Sequence, residues 1–307
     1  MKEKFVSDAV MVYRPTQSAL PWLRQKLYDY AELSKLKLSL LVLFSALVSF
    51  FLGVSEPAPL GLLFWFGLGN FLVIAGANAL NQVIERDYDA LMIRTARRPL
   101  PAERMGVAEA FAVAMVMSVG GLFLLTFAVN GLTGSLAAVA LLTYVLVYTP
   151  LKRKSVWCTF FGAISGAIPP MMGFTAIHGD VSVLAWCLFA ILFFWQFPHF
   201  WAIAWMFRDD YANAGFRIAP EMDASGVKTG RQVVVFSAIL VMVSLAPGLM
   251  GLMRPMYLVG AAGLGLLMMW YSIRLRLDCS QAAARRLLLA SVFYLPALMM
   301  VMLLAKR

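Results

Sequence analysis

Asn81, Glu85 and Asp89 occupy positions i, i+4 and i+8 of the stretch NQVIERDYDALMIRTARRPLP, residues 81–101. At ~3.6 residues per turn this spacing keeps all three on one face of a helix, with a drift of only ~40° per step. They form a stripe of hard oxygen ligands. Such ligands suit Mg²⁺, which usually keeps several waters and is shared between one or two carboxylates and a substrate phosphate. Arg94, Arg97 and Arg98 follow closely, and their forked donors match phosphate or carboxylate oxygens. Asp87 sits about 200° around the helix from Glu85 and belongs to another face. A second acid pair, Asp209 and Asp210, lies in the run RDDY. Two carboxylate clusters facing one hollow would chelate divalent cations around a diphosphate, while apolar helices below would take a lipid tail. The competing reading of the first stripe is a ladder of interfacial ion pairs, each contributing about 0–1 kcal/mol when exposed.

The elements that must position these groups are apolar. The chain has 307 residues, 62% of them hydrophobic and 14% charged, whereas soluble domains carry about 25% charged residues. This composition reads as a membrane protein. A spanning helix needs roughly 20 apolar residues. Nine segments approach that length: 38–54, 60–81, 107–128, 132–149, 157–177, 181–205, 232–252, 256–273 and 287–304. The expected fold class is therefore an all-α polytopic membrane protein with nine transmembrane helices. Residues 1–37 read as a cytoplasmic N-terminal arm, and 38–307 as one membrane domain. Within the arm, PWLRQKLYDYAELSKLK mixes Trp22, Leu23, Leu27 and Tyr28 with basic residues, the pattern of an interfacial helix. Residues 1–20 lack the apolar run of a secretory leader, so none is expected.

A net charge of +10 in a soluble chain would suggest a nucleic-acid partner; across nine spans it reads instead as orientation. Of the 26 Lys and Arg residues, all but Arg254, Lys306 and Arg307 fall in loops on one side of the nine spans. Lys and Arg favour the cytoplasmic side, so the N-terminus is expected there and the C-terminus opposite, in the inner cell membrane. No nucleic-acid partner is expected. A transporter would place polar groups at the midplane and at both mouths, whereas only Glu56 and Asp180 are acids on the far side. The three cysteines, Cys158, Cys187 and Cys279, show no C-x-x-C spacing and read as small core residues.

Other polar marks gather on the basic side. YTPLKRKS, residues 148–155, places Tyr148, Lys152, Arg153 and Lys154 at a helix exit, as headgroup anchors or substrate contacts. WQFPHFWAIAW, residues 195–205, holds Gln196 and His199 inside an apolar span. An intramembrane ionisable residue is a functional candidate, with hydrogen bonding between helices as the alternative. Pro169 and Pro170 are expected to break or kink their helix and open a cavity beside it.

With these stretches in view, the chain resembles the intramembrane aromatic prenyltransferases, and among them the heme O synthase (protoheme IX farnesyltransferase) branch. The resemblance is carried by Asn81-Gln82-x-x-Glu85-x-x-x-Asp89, Met92-x-Arg94-Thr95-x-x-Arg98-Pro99-Leu100 and Tyr148-Thr149-Pro150-Leu151-Lys152-Arg153. Gly166-Ala167-Ile168-Pro169-Pro170, Trp195-Gln196-Phe197-Pro198-His199-Phe200 and Asp209-Asp210-Tyr211 complete it, in the family's order, over residues 35–225. The N-x-x-x-D/E-x-x-x-D stripe is shared with quinone and chlorophyll prenyltransferases; the Met-x-Arg-Thr and Trp-Gln-x-Pro-His-Phe motifs look like the heme branch. Glu85 stands where many relatives have Asp. Lys35-Leu36-Lys37 stands where relatives often have a Lys-Pro pair, and no role is carried onto Lys35.

The resemblance implies a nine-helix bundle around a central cavity open to the cytoplasmic side. It implies farnesyl diphosphate and heme B as substrates, Mg²⁺ as cofactor, and heme O as product, destined for a heme A synthase or terminal oxidase. Glu85 and Asp89 would hold one Mg²⁺ and Asp209 or Asp210 another, with Asn81 a neutral ligand or orienting group. Arg94, Arg98, Lys152 and Arg153 would contact diphosphate or heme propionates. Tyr148, Gln196 and Tyr211 would complete substrate binding, and His199 would ligate heme iron or accept a proton. Prenylation of a quinone precursor would use the same metal logic with another acceptor.

Overall fold

The computed structural model describes residues 19–54, 57–217, 223 and 225–307; residues 1–18 of the expected N-terminal arm lie outside them. Among the described residues the chain is helical, and nine helical segments are long and apolar enough to cross a membrane. They are α2 (Leu36–Gly53), α3 (Leu60–Asp89), α4 with a π-helical last turn (Val107–Val129), and α5 through a π-helical stretch to α6 (Gly131–Leu151). α7 (Cys158–His178), α8 (Val183–Met206), α10 (Val227–Leu249), α11 (Met256–Asp278) and α12 (Gln281–Leu304) complete the set. α1 (Ala19–Leu33) precedes them, and the short α9 (Arg208–Asn213) follows α8.

Each expected span has a counterpart, but the ends differ. α3 runs eight residues past position 81, and α12 starts at Gln281 rather than 287. Hydropathy stops at the first charges, whereas Glu, Arg and Ala are good helix formers and carry the helix on. Ser280 caps α12 by accepting from Ala283 N at 3.1 Å. At ~1.5 Å per residue the 30-residue α3 is about 45 Å long. It overshoots ~30 Å of hydrocarbon, so its last turns stand clear of the bilayer core. The Pro169–Pro170 pair does not break its helix: α7 continues through both.

Two apolar cores share the bundle. One joins α3, α4, α5 and the adjoining faces of α2 and α7; the other joins α8, α10, α11 and α12 to the opposite faces of α2 and α7. Lipid supplies no hydrophobic drive between helices, so close packing of small residues does that work. A Cβ on Gly121 of α4 would lie 2.7 Å from the Gly69 carbonyl of α3. The outer faces stay apolar and exposed, as at Val116, Phe127 and Val259, and meet lipid instead of protein.

α1 presents Trp22, Leu23, Leu27 and Tyr28 outward and docks by its polar face. Lys26 Nζ and Tyr30 Oη reach Glu109 at 2.8 and 2.7 Å, and Arg104 grips Asp29 and Glu32 at 2.9 Å each. The chain passes from α1 to α2 through Lys35, held in the left-handed region at φ 47°. Such a conformation is uncommon for a residue with a Cβ.

Candidate active site

Because α3 extends beyond the bilayer core, its oxygen stripe emerges as one buried row: Asn81 0%, Glu85 5% and Asp89 1% exposed. Every member faces a cation from a different segment. Asn81 Oδ1 accepts from Lys35 Nζ at 2.8 Å. Glu85 Oε2 accepts from Lys152 Nζ at 3.0 Å, and Asp89 Oδ2 accepts from Arg98 Nη1 at 2.6 Å. Glu85 Oε1 lies 2.8 Å from the same ammonium, yet it is buried without a directed hydrogen bond.

Local hydrogen bonding explains why the cations arrive there. Thr95 Oγ1 donates to Asp89 O at 2.8 Å, folding the chain after α3 back on itself so that Arg98 reaches Asp89. Asn81 Nδ2 donates to Thr149 Oγ1 at 3.1 Å, which sets the start of the KRK turn beside α3. Gln82 donates to the carbonyls of Glu32 and Leu33 at 2.8 Å, tying α3 to the α1–α2 junction that carries Lys35. Burial, with the Arg98 and Lys152 charges nearby, lowers the Lys35 ammonium to about 7 against the pull of Glu85 and Asp89. Burial also works against the Lys152 ammonium, but the Glu85 carboxylate outweighs it and holds that group above its ordinary value.

The row opens into a cavity of about 340 Å³ bounded by α2, α3, α5, α7 and α8. Its polar end carries Asn81, Glu85, Asp89, Arg94, Arg98 and Lys152, and Tyr148, Gln196 and Tyr211 also line it. Deeper, the wall turns apolar through Val73, Ile74, Ala137 and Met172. Arg94 stacks on Tyr211 at 4.7 Å, and Phe216 packs between Tyr211 and Tyr88. Arg153 lies over the Tyr88 ring at 3.9 Å and donates to its hydroxyl. These contacts draw the loops after α3, α6 and α8 together over the polar end.

Four expected site residues do not line this cavity. Arg153 braces the loops from outside. Asp209 is 87% exposed and sits 3.6 Å from its neighbour Arg208, while Asp210 is half-buried. His199 turns toward α12, where Nδ1 and Ser291 Oγ are 2.8 Å apart and the ring stacks on Trp195. Among the described residues no three His, Cys, Asp or Glu side chains converge as metal ligands. Sequence reasoning missed Lys35, Asn78 and Tyr144, which also line the cavity. Lys35 is passed over because Leu36 follows it where relatives often have proline. A separate hollow of about 640 Å³ at the α11–α12 turn, lined by Trp270, Arg274, Asp278 and Arg286, holds no oxygen stripe.

The donor set fits a single hard divalent cation. Glu85 and Asp89 lie one turn apart, Glu85 Oε1 has no directed hydrogen bond, and the site leaves further ligands to water and phosphate, as Mg²⁺ prefers. The surrounding cations and apolar depth fit a phosphorylated head with a hydrocarbon tail.

A protoheme IX farnesyltransferase of Koribacter versatilis is 42% identical over 303 residues, covering 95% of this chain and 98% of that protein. One from Solibacter usitatus is 41% identical, covering 90% and 98%. Among solved structures, a digeranylgeranylglyceryl phosphate synthase aligns with TM-score 0.77 at 16% identity, covering 92% of this chain and 98% of that one. A UbiA homolog from Archaeoglobus fulgidus, bound to GPP and Mg²⁺, aligns with TM-score 0.67 at 18% identity, covering 89% and 99%. The UbiA prenyltransferase family model matches residues 42–298, and the chain belongs to the UbiA prenyltransferase family.

Proposed function

We propose that this enzyme transfers the farnesyl group of farnesyl diphosphate to a vinyl group of heme B, with addition of water, giving heme O. The observation that carries this reading is the buried row Asn81, Glu85 and Asp89, matched by Lys35, Lys152 and Arg98, at the polar end of an apolar cavity. The relatives that share most of its length bear the name of that activity.

A vinyl group is a weak nucleophile, so the reaction needs a strong electrophile. Breaking the allylic carbon–oxygen bond supplies one and leaves charge on the departing diphosphate. Lys35, Arg94, Arg98 and Lys152 surround the place where that charge develops, and preorganised cations in a water-poor site lower such a barrier. Glu85 and Asp89 would hold Mg²⁺, which offsets the same charge when bound; Mg²⁺ accompanies a prenyl diphosphate in the Archaeoglobus homolog. Asn81 orients Lys35 and Thr149 around the row. A second cation would fall to Asp210, one residue before the cavity-lining Tyr211, ahead of the exposed Asp209. The apolar depth takes the farnesyl chain and delays capture of its cation by water. Arg153, anchored on Tyr88 outside the cavity, is the base left for a heme propionate.

Lys and Arg favour the cytoplasmic side, so this mouth would open on the cytoplasmic face of the inner membrane, and the heme O formed there would supply terminal oxidases, directly or through a heme A synthase. The test is incubation of the purified protein in lipid nanodiscs with farnesyl diphosphate, Mg²⁺ and either heme B or 4-hydroxybenzoate, with products identified by mass. Farnesylated, hydrated heme is expected. A prenylated benzoate, or no prenyl product at all, contradicts the proposal.

A further inference from the structure

Gln196 of α8 is only 5% exposed and lines the cavity. Its amide orientation is fixed, because Nε2 donates to two carbonyls, Ala163 O at 3.0 Å and Leu192 O at 3.1 Å. Oε1 therefore faces away from both, and among the described residues nothing donates to it. A Cβ on Gly166 would stand 2.3 Å from Oε1, so glycine is what lets the Gln196 amide lie this close to α7. Beside it, Pro169 and Pro170 lack N–H groups, which deprives the carbonyls of Ser165 and Gly166, four residues earlier, of their helical donors. Ser165 spends its hydroxyl hydrogen on Gly162 O at 2.9 Å. The result is a patch of cavity wall built from acceptors: Gln196 Oε1, Ser165 and Gly166.

Acceptors beside a cavity that receive no hydrogen bond from the protein suit a ligand that brings hydrogens. In the proposed reaction the allylic carbon and the vinyl group carry no N–H or O–H. Water is the one reactant that does. We propose that Gln196, with the proline-freed carbonyls of Ser165 and Gly166, holds the water molecule that becomes the hydroxyl group of the product. This assignment rests on the farnesyl-transfer reading given above.

The chemistry balances. The carbon–oxygen bond of farnesyl diphosphate breaks and its electron pair leaves with diphosphate. The vinyl π pair forms the new carbon–carbon bond, leaving a cation on the carbon next to the porphyrin. Water gives both hydrogens to the acceptor wall and its lone pair to that cation, forming the carbon–oxygen bond. The surplus proton ends on the released diphosphate, the base that the first step supplies. Without a held water, the cation sheds a neighbouring C–H proton to the same base and yields an alkene lighter by one water. Gln196 thus decides between hydration and elimination.

The experiment measures the ratio of hydrated to dehydrated farnesyl-heme by mass in wild type, Gln196→Met, Gln196→Glu and Gly166→Ala. Wild type should give the hydrated product. Gln196→Met removes the acceptor at similar size, and the ratio should fall roughly tenfold, the effect of losing about one hydrogen bond. Gln196→Glu offers both a donor to Ala163 and Leu192 and an acceptor oxygen only when protonated, so it should restore much of the ratio as pH falls. Gly166→Ala puts a methyl group where Oε1 now lies, so the Gln196 amide must shift, and it should lower the ratio as Gln196→Met does. An unchanged ratio in both Gln196→Met and Gly166→Ala overturns the assignment while leaving farnesyl transfer intact. Absence of any prenylated heme in wild type overturns the underlying reading and this assignment with it.

Discussion

The last turns of α3, with Glu85, Asp87 and Asp89, and the start of α9, with Asp209 and Asp210, are both rich in acids, yet the fold treats them differently. Glu85 and Asp89 are buried on one helical face and each meets a cation from a distant segment at 3.0 Å or less. Asp209 points into solvent with its neighbour Arg208 as nearest partner, and Asp210 is half-buried. Spacing makes the difference. Positions four apart repeat on one face of a helix, so Glu85 and Asp89 turn together toward the cavity; adjacent residues point about 100° apart, and Asp209 and Asp210 cannot share one direction. Acid clusters alike in sequence therefore carry unequal electrostatic weight, because a buried charge interacts far more strongly than an exposed one.

That contrast sets a rank order of effects. Glu85→Ala or Asp89→Ala should lower heme O formation by about 100-fold or more, as removal of a preorganised group from a charged transition state does. Asp209→Ala should cost no more than a few-fold, and Asp210→Ala should fall between. Equal losses at all four positions, in protein of matching thermal stability, would erase the comparison.

Stability should follow the same order. Lys152→Met strands the buried Glu85 carboxylate and should destabilise the folded protein by about 3 kcal/mol. Arg208→Ala, which removes an exposed partner, should cost less than about 1 kcal/mol. Thermal unfolding in detergent reads both.

Lys35 sharpens the comparison through pH. Burial lowers its ammonium to about 7, so the group is charged below that value and neutral above it. Affinity for a diphosphate should therefore fall as pH rises through 7, and Lys35→Arg, which stays charged, should flatten the fall. A wild-type affinity constant from pH 6 to 8 would remove Lys35 from the cationic set.

The smallest effect is expected at His199, whose ring meets Ser291 rather than the cavity. His199→Ala should cost about 1 kcal/mol of stability, one hydrogen bond's worth, and leave the heme absorption spectrum unchanged. A shifted spectrum would return His199 to the heme side.

Hydropathy and length made the nine spans legible, and the four-residue period made the Asn81, Glu85 and Asp89 face legible before any coordinates. The helix ends were not, because apolar counting stops where charge begins while helix propensity does not; α3 shows this over its last two turns. The cation partners were harder still. Lys35 and Lys152 lie 46 and 67 residues from the oxygens they reach, and no local pattern encodes such meetings, whereas Arg98 stands only 9 residues after Asp89. His199 misled for a related reason: its place inside an apolar span marks it as costly to bury, but the side chain's direction depends on α12, nearly a hundred residues further on.

The most direct measurement is equilibrium binding of farnesyl thiodiphosphate, a slowly ionising analogue, by calorimetry with and without Mg²⁺. Wild-type protein should bind it in a Mg²⁺-dependent manner, Glu85→Gln should weaken binding by roughly tenfold or more, and Asp209→Asn should leave it near the wild-type value. Wild-type affinity in Glu85→Gln, or binding indifferent to Mg²⁺, would contradict the assignment of the buried α3 row as the diphosphate site.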